Sequence, residues 1–141
     1  MLSRHSNVER KQESTEFEAE IAAIKAPRTI LLVDDENDAR FITKMFLANF
    51  GFVVHSFSSA EEALSHFDSQ VHDLVVTDNA MAGVTGEELA HVIKMRSPST
   101  PVVMYSGSRP ADCSCVDSIV AKPSALVMLK EAVDKLLARP N

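Results

Sequence analysis

Short apolar runs alternate with longer stretches of helical period along most of this chain, and that alternation limits the folds it can adopt more than any other feature. After Pro27 the runs Ile30–Asp34, Val53–Phe57, Leu74–Thr77, Val102–Tyr105 and Ser118–Ala121 are rich in Val, Ile and Leu, as strands buried on both faces are. Between and after them lie helical stretches from Asp38 to Phe50, stopped by Gly51, from Ser59 to about Ser69, from Thr85 to Arg96 ahead of Pro98, and from Ser124 to Arg139. Two begin with capping boxes, Ser59-Ala-Glu-Glu62 and Thr85-Gly-Glu-Glu88. Strand and helix in repeated succession predict an α/β fold, a doubly wound five-stranded parallel sheet with helices on both faces. One connection breaks the rhythm. Only nine residues, GSRPADCSC, separate Ser106 from the apolar run at Val116, and a crossover with its helix needs about 10–12 or more. The fourth helix is expected to be missing or a single turn.

The 141 residues are enough for one domain, with 45% hydrophobic residues to build its core. Residues 1–27 differ in texture and form an N-terminal arm, leaving 28–141 as the domain; Glu9, Glu13, Glu16, Glu18 and Glu20 alternate with Arg4, Arg10, Lys11 and Lys25. Phe17, Ile21 and Ile24 make one helical stripe there, extended by Ser14. The stripe is too short for a firm coiled coil; it suits a helix lying on the domain or a frayed tail, and alternatively one that docks a partner or pairs two copies as a homodimer. A net charge of −6 argues against direct nucleic acid binding. No run of 18 apolar residues spans a membrane and no signal-peptide core opens the chain, so a cytoplasmic location is expected. Cys113 and Cys115 are too close for an unstrained disulfide and too few for zinc, and no base adjoins either in sequence, so both are read as reduced thiols, with a redox sensor in an exposed loop as the alternative.

Polar residues mark the ends of the strands: Asp34 and Asp35 in TILLVDDE, Asp78 in DLVVTDNA, Ser106 in VVMYS and Lys122 in SIVAKP. In an open parallel sheet the ligand crevice lies outside the carboxyl ends of the strands, so these residues can converge although they are distant in sequence. Three carboxylates side by side repel one another unless a cation sits among them, and hard oxygen donors suit Mg²⁺ or Mn²⁺. An ionised carboxylate beside such a cation can attack phosphorus, with Lys122 and the Ser106 hydroxyl stabilising charge on the phosphoryl oxygens. Asp78 is the best nucleophile, because the stretch after it, NAMAGVTG, is small enough for backbone to approach a ligand. Taken singly, Asp34 and Asp35 would suit N-caps and Lys122 a solvated surface. The five histidines, His5, His55, His66, His72 and His91, lack ligand spacing and read as surface or packing residues, and Met81, Met95, Met104 and Met128 as core filler.

From Thr29 to about Arg139 these motifs resemble the receiver domain of the two-component response regulator family: VDDE at Asp34–Glu36, TDNAMAG around Asp78 with Met81 and Gly86, MYSG at Ser106 and AKP at Lys122–Pro123. The resemblance implies a flavodoxin-like receiver of the chemotaxis-regulator kind, and because the chain ends at Asn141 just after the last helix it is expected to stand alone without an output domain. It implies phosphoryl transfer to Asp78 from a histidine kinase or histidine phosphotransfer protein, and output through altered contacts with a downstream protein. Such a chain is no enzyme beyond catalysing its own phosphorylation and dephosphorylation. By the same resemblance Asp35, Asp78 and the Ala80 carbonyl would hold Mg²⁺, Asp34 would act through water, and Lys122–Pro123 would be cis. Ala80 and Ser108 stand where relatives help orient the hydrolytic water, and neither is an acid or amide, which predicts a long-lived acyl phosphate. Three departures bear on output: Ala82 replaces the usual proline, Gly107 the usual alanine, and Ile119 the aromatic residue that turns inward on activation. With the fourth helix curtailed, the surface formed in relatives by that helix, the last strand and the last helix cannot signal in its ordinary form. Two alternatives stand beside this reading, a small phosphatase of the haloacid dehalogenase type and a receiver-like scaffold that is never phosphorylated.

Overall fold

A computed structural model describes residues 15–18, 20–21, 26–123 and 126–139. Five strands, β1 (Thr29–Val33), β2 (Val53–Phe57), β3 (Leu74–Thr77), β4 (Val102–Ser106) and β5 (Ser118–Ala121), form one parallel sheet in the order β2-β1-β3-β4-β5. The helices are α1 (Asn37–Ala48), α2 (Ala60–His66), α3 (Gly86–Arg96) and α4 (Leu126–Leu137). The doubly wound sheet read from the sequence is therefore present, and among the described residues no helix joins β4 to β5. Residues 15–18 and 20–21 of the arm are helical and Phe17 is exposed, while Ile24 and Ser14 lie outside the described residues.

Alternate residues of each strand face opposite layers, and the apolar sets divide accordingly. Ile30, Leu32, Leu74, Val76, Val103 and Val120 pack beneath α1 and α4, whose Leu47, Leu129 and Val133 are fully buried. Leu31, Val33, Val75 and Val102 pack beneath α2 and α3, against Ala60, Ala63, Leu89, Ala90 and Ile93. On that second face Cys115 and Val116 of the β4–β5 loop join the packing where a helix would otherwise lie.

Several local expectations need correction. Helix α2 ends at His66, short of Ser69, because Phe67 turns extended and Asp68 organises a turn: its carbonyl accepts from Val71 and His72 N–H, and its carboxylate from Gln70 N–H. The Thr85–Glu88 capping box forms in both directions. Ser59 does cap the Glu62 N–H at 3.2 Å, but the Glu62 carboxylate turns to the Ser58 hydroxyl at 3.5 Å. Met81 and Met104 are core residues, whereas Met95 (73% exposed) and Met128 (52%) stand on the outer sides of α3 and α4. His72 is buried and bonded to His55 at 3.0 Å, a packing role.

Candidate functional site

The central strands β1 and β3 end side by side, in the register Val33↔Thr77, so Asp34 and Asp78 leave the sheet as neighbours. Strand β4 flanks β3 and delivers Ser106; β5 flanks β4 and is followed at once by Lys122. All five strand-end residues thus meet at one edge. Carboxylate oxygens of Asp34, Asp35 and Asp78 all lie within 4.8 Å of one another. Asp34 is the buried member, Asp78 is half-buried and Asp35 is open to solvent.

Each carboxylate has fixed neighbours. Asp34 accepts the Glu36 N–H at 3.0 Å and the Lys122 ammonium at 3.0 Å. Asp35 accepts the Ala82 N–H at 3.3 Å, which ties β1 to the loop after β3. On Asp78, Oδ1 accepts the Asn79 N–H at 2.7 Å and the Ser106 hydroxyl at 2.5 Å, while Oδ2 faces Lys122 Nζ at 3.4 Å. Burial alone would lower the Lys122 pKa, but the hydrogen bond and charge of Asp34, and then the charge of Asp78, outweigh it and hold the pKa above the usual lysine value. Tyr105 lies under this ammonium, its ring centroid 5.1 Å from Nζ, a cation–π distance. Lys122–Pro123 is cis.

The backbone beyond Asp78 is equally constrained. A Cβ on Gly86 would fall 1.9 Å from the Asp78 carbonyl oxygen, so only glycine lets the start of α3 approach so closely. The Gly86 N–H bonds the Asn79 carbonyl at 3.0 Å, and the Asn79 side chain accepts the Glu87 N–H at 3.1 Å. Ser108 stays at the site despite the short loop: its N–H donates to Ser106 Oγ at 3.1 Å and its hydroxyl lies 3.4 Å from it.

Two features escaped the sequence pattern. Glu87 holds the β4–β5 loop through the N–H groups of Ala111 and Asp112, both at 3.0 Å. His91 Nδ1 lies 3.5 Å from Cys115 Sγ, so the thiol does have a base beside it, contrary to expectation. Both contacts join residues 24 or 25 apart in sequence, and no local signal reports them.

Three acidic oxygens within reach of one cation, a hydroxyl and an ammonium on the central carboxylate, and a five-stranded doubly wound sheet define a receiver-type site. Residues 30–134 match the response regulator receiver domain family, and the chain belongs to that family. It is 31% identical over 121 residues to the chemotaxis protein CheY of Pseudomonas aeruginosa, covering 79% of this chain and 98% of that protein. It is 32% identical over 118 residues to a putative transcriptional regulator of Haloferax volcanii, matching 81% of this chain but only 20% of that protein's length. The response regulator TrrA of Thermotoga maritima, solved in complex with Mg²⁺ and BeF, superposes with a TM-score of 0.73 at 31% identity, over 77% of this chain and 98% of that one. Receivers of this family act in two-component phosphorelay signalling, meeting histidine kinases and downstream targets, and bind Mg²⁺ at an acidic pocket. Among the described residues no helix is long and apolar enough to cross a membrane.

Proposed function

We propose that this chain is a cytoplasmic receiver that accepts a phosphoryl group on Asp78 from a histidine kinase or histidine phosphotransfer protein and signals through altered protein contacts. The observation that carries the reading is the treatment of the Asp78 carboxylate, met by an amide, a hydroxyl and an ammonium inside a three-carboxylate cluster. Those groups restrain the carboxylate for in-line attack. As the O–P bond forms and the donor's P–N bond breaks, Lys122 and the Ser106 hydroxyl are free to pass from carboxylate to phosphoryl oxygens. Asp35, Asp78 and the Ala80 carbonyl would hold Mg²⁺, with Asp34 acting through water, and the bound cation would offset the charge of the incoming phosphoryl group. The donor set fits such a cation, being all oxygen.

Residues 28–141 form the receiver in this reading and residues 1–27 its arm. Ala80 and Ser108 supply neither acid nor amide, so the acyl phosphate is long-lived. The test is incubation with acetyl phosphate and Mg²⁺ followed by intact mass. A gain of about 80 Da (one phosphoryl group) is expected, absent in Asp78→Asn. Retained incorporation in that variant, with no transfer to a neighbouring carboxylate, would overturn the assignment. Turnover of a phosphoester would favour the phosphatase reading, and neither result the scaffold.

A further inference from the structure

At the far side of the second face, the β4–β5 loop and α3 border an open surface pocket of about 300 Å³ lined by Glu87, Glu88, His91, Val92, Asp112 and Cys115. Cys115 reaches it from the loop and His91 from the second turn of α3, with Sγ and Nδ1 3.5 Å apart. Their meeting is built rather than accidental. Glu87 pins the loop at Ala111 and Asp112, Asp112 accepts the Ser114 N–H at 2.9 Å, and Cys115 packs against the core beneath. Cys113, two residues away, points elsewhere, its sulfur 3.9 Å from the Pro110 carbonyl.

A thiol reacts as its thiolate, and an imidazole placed to take the proton raises that reactivity. The rim of the pocket is acidic. Glu87, Glu88 and Asp112 repel anionic oxidants such as glutathione disulfide, and the pocket admits a small neutral one. We propose that Cys115, with His91 as its base, is an oxidation site for hydrogen peroxide, independent of the phosphoryl site. The Cys115 proton passes to His91 Nδ1 as sulfur attacks one peroxide oxygen. The S–O bond forms, the O–O bond breaks, and the departing hydroxide takes the proton from His91 to leave as water. Sulfur loses two electrons and becomes a sulfenic acid; the peroxide gains them.

The test treats the full chain with one equivalent of hydrogen peroxide in the presence of dimedone and maps the adduct by peptide mass. Dimedone is expected on Cys115 and not on Cys113, at an unchanged rate in Cys113→Ser. His91 is exposed, so His91→Phe and His91→Asn are expected to keep the native melting profile. Each should slow labelling about a hundredfold, the lower end of the usual scale for loss of a general base. Equal labelling of the two cysteines, or wild-type rates in either folded His91 variant, would overturn the proposal.

Discussion

The two faces of the sheet are built differently. Over the first, α1 and α4 cover an uninterrupted apolar layer from Val54 on β2 to Val120 on β5. Over the second, α2 and α3 cover β1 and β3, and beyond them a loop closes the layer with Cys115 and Val116. Titratable pairs occupy both flanks of that second layer, His55–His72 beside α2 and His91–Cys115 beside α3. A face closed by helices holds its place through apolar area. One closed by a loop depends on individual hydrogen bonds, here the two to Glu87. In this receiver the second face also leads directly to the site, because α3 starts against the Asp78 backbone and the loop starts at Ser106.

The largest effect should come where the second face touches the site. Gly86→Ala drives a methyl into the Asp78 carbonyl, so the backbone that carries the Asp78 carboxylate is expected to shift. Phosphoryl acceptance should fall about a hundredfold, the scale of a misplacement of about 1 Å; unchanged acetyl phosphate kinetics would show that α3 does not set the Asp78 position.

Next in size is a matched pair of core truncations. Leu129→Ala, in the fully buried layer under α4, should cost about 3 kcal/mol. Val116→Ala, half-buried in the loop, should cost about 1 kcal/mol. Urea midpoints for the two would test the comparison directly, and equal losses would abolish it.

Removing the clamp is expected to act locally. Glu87→Ala should raise amide exchange at Ala111 and Asp112 about tenfold, as loss of bonds worth about 1 kcal/mol implies, with little change at Leu129. Exchange that rises on both faces would mean that the loop and the helical layer open together.

The smallest effect concerns pH. Burial, then the charge of His55, lowers the His72 pKa below its ordinary 6.5. Its Nδ1 accepts the Asp68 N–H at 3.0 Å. The unfolded chain therefore binds this proton more readily, so stability is unaffected by it above about 6.5 and declines as pH falls from there until the folded-state pKa is passed. Urea midpoints at pH 7.5 and 5.5 should show a slope that shrinks in His72→Gln; an identical slope would remove His72 as its source.

The fold was legible because its signals are local. Each strand announces itself as a run of four or five residues with at least two of Val, Ile or Leu, and the nine residues between Ser106 and the apolar run at Val116, rich in Gly, Pro and Ser, signal a connection with no room for a full helix. The convergence of Asp34, Asp35, Asp78, Ser106 and Lys122 was legible for a related reason, since a parallel sheet brings every strand's carboxyl end to one edge. Where a choice depended on which side of a helix faced inward, the pattern erred: Met95 and Met128 sit among apolar neighbours in sequence but on outer surfaces in space.

Amino-acid order by itself determined the alternation of strands and helices, the shortened fourth connection and the convergence of five strand-end polar residues, because periodicity, chain length and strand direction act along the backbone. Tertiary structure alone decided that Lys122 sits nearer Asp34 than Asp78, that Glu87 grips the loop, and that His91 stands beside Cys115. Such contacts arise from the separation and rotation of elements packed across a sheet, quantities that depend on every side chain between them and that no local stretch of sequence encodes.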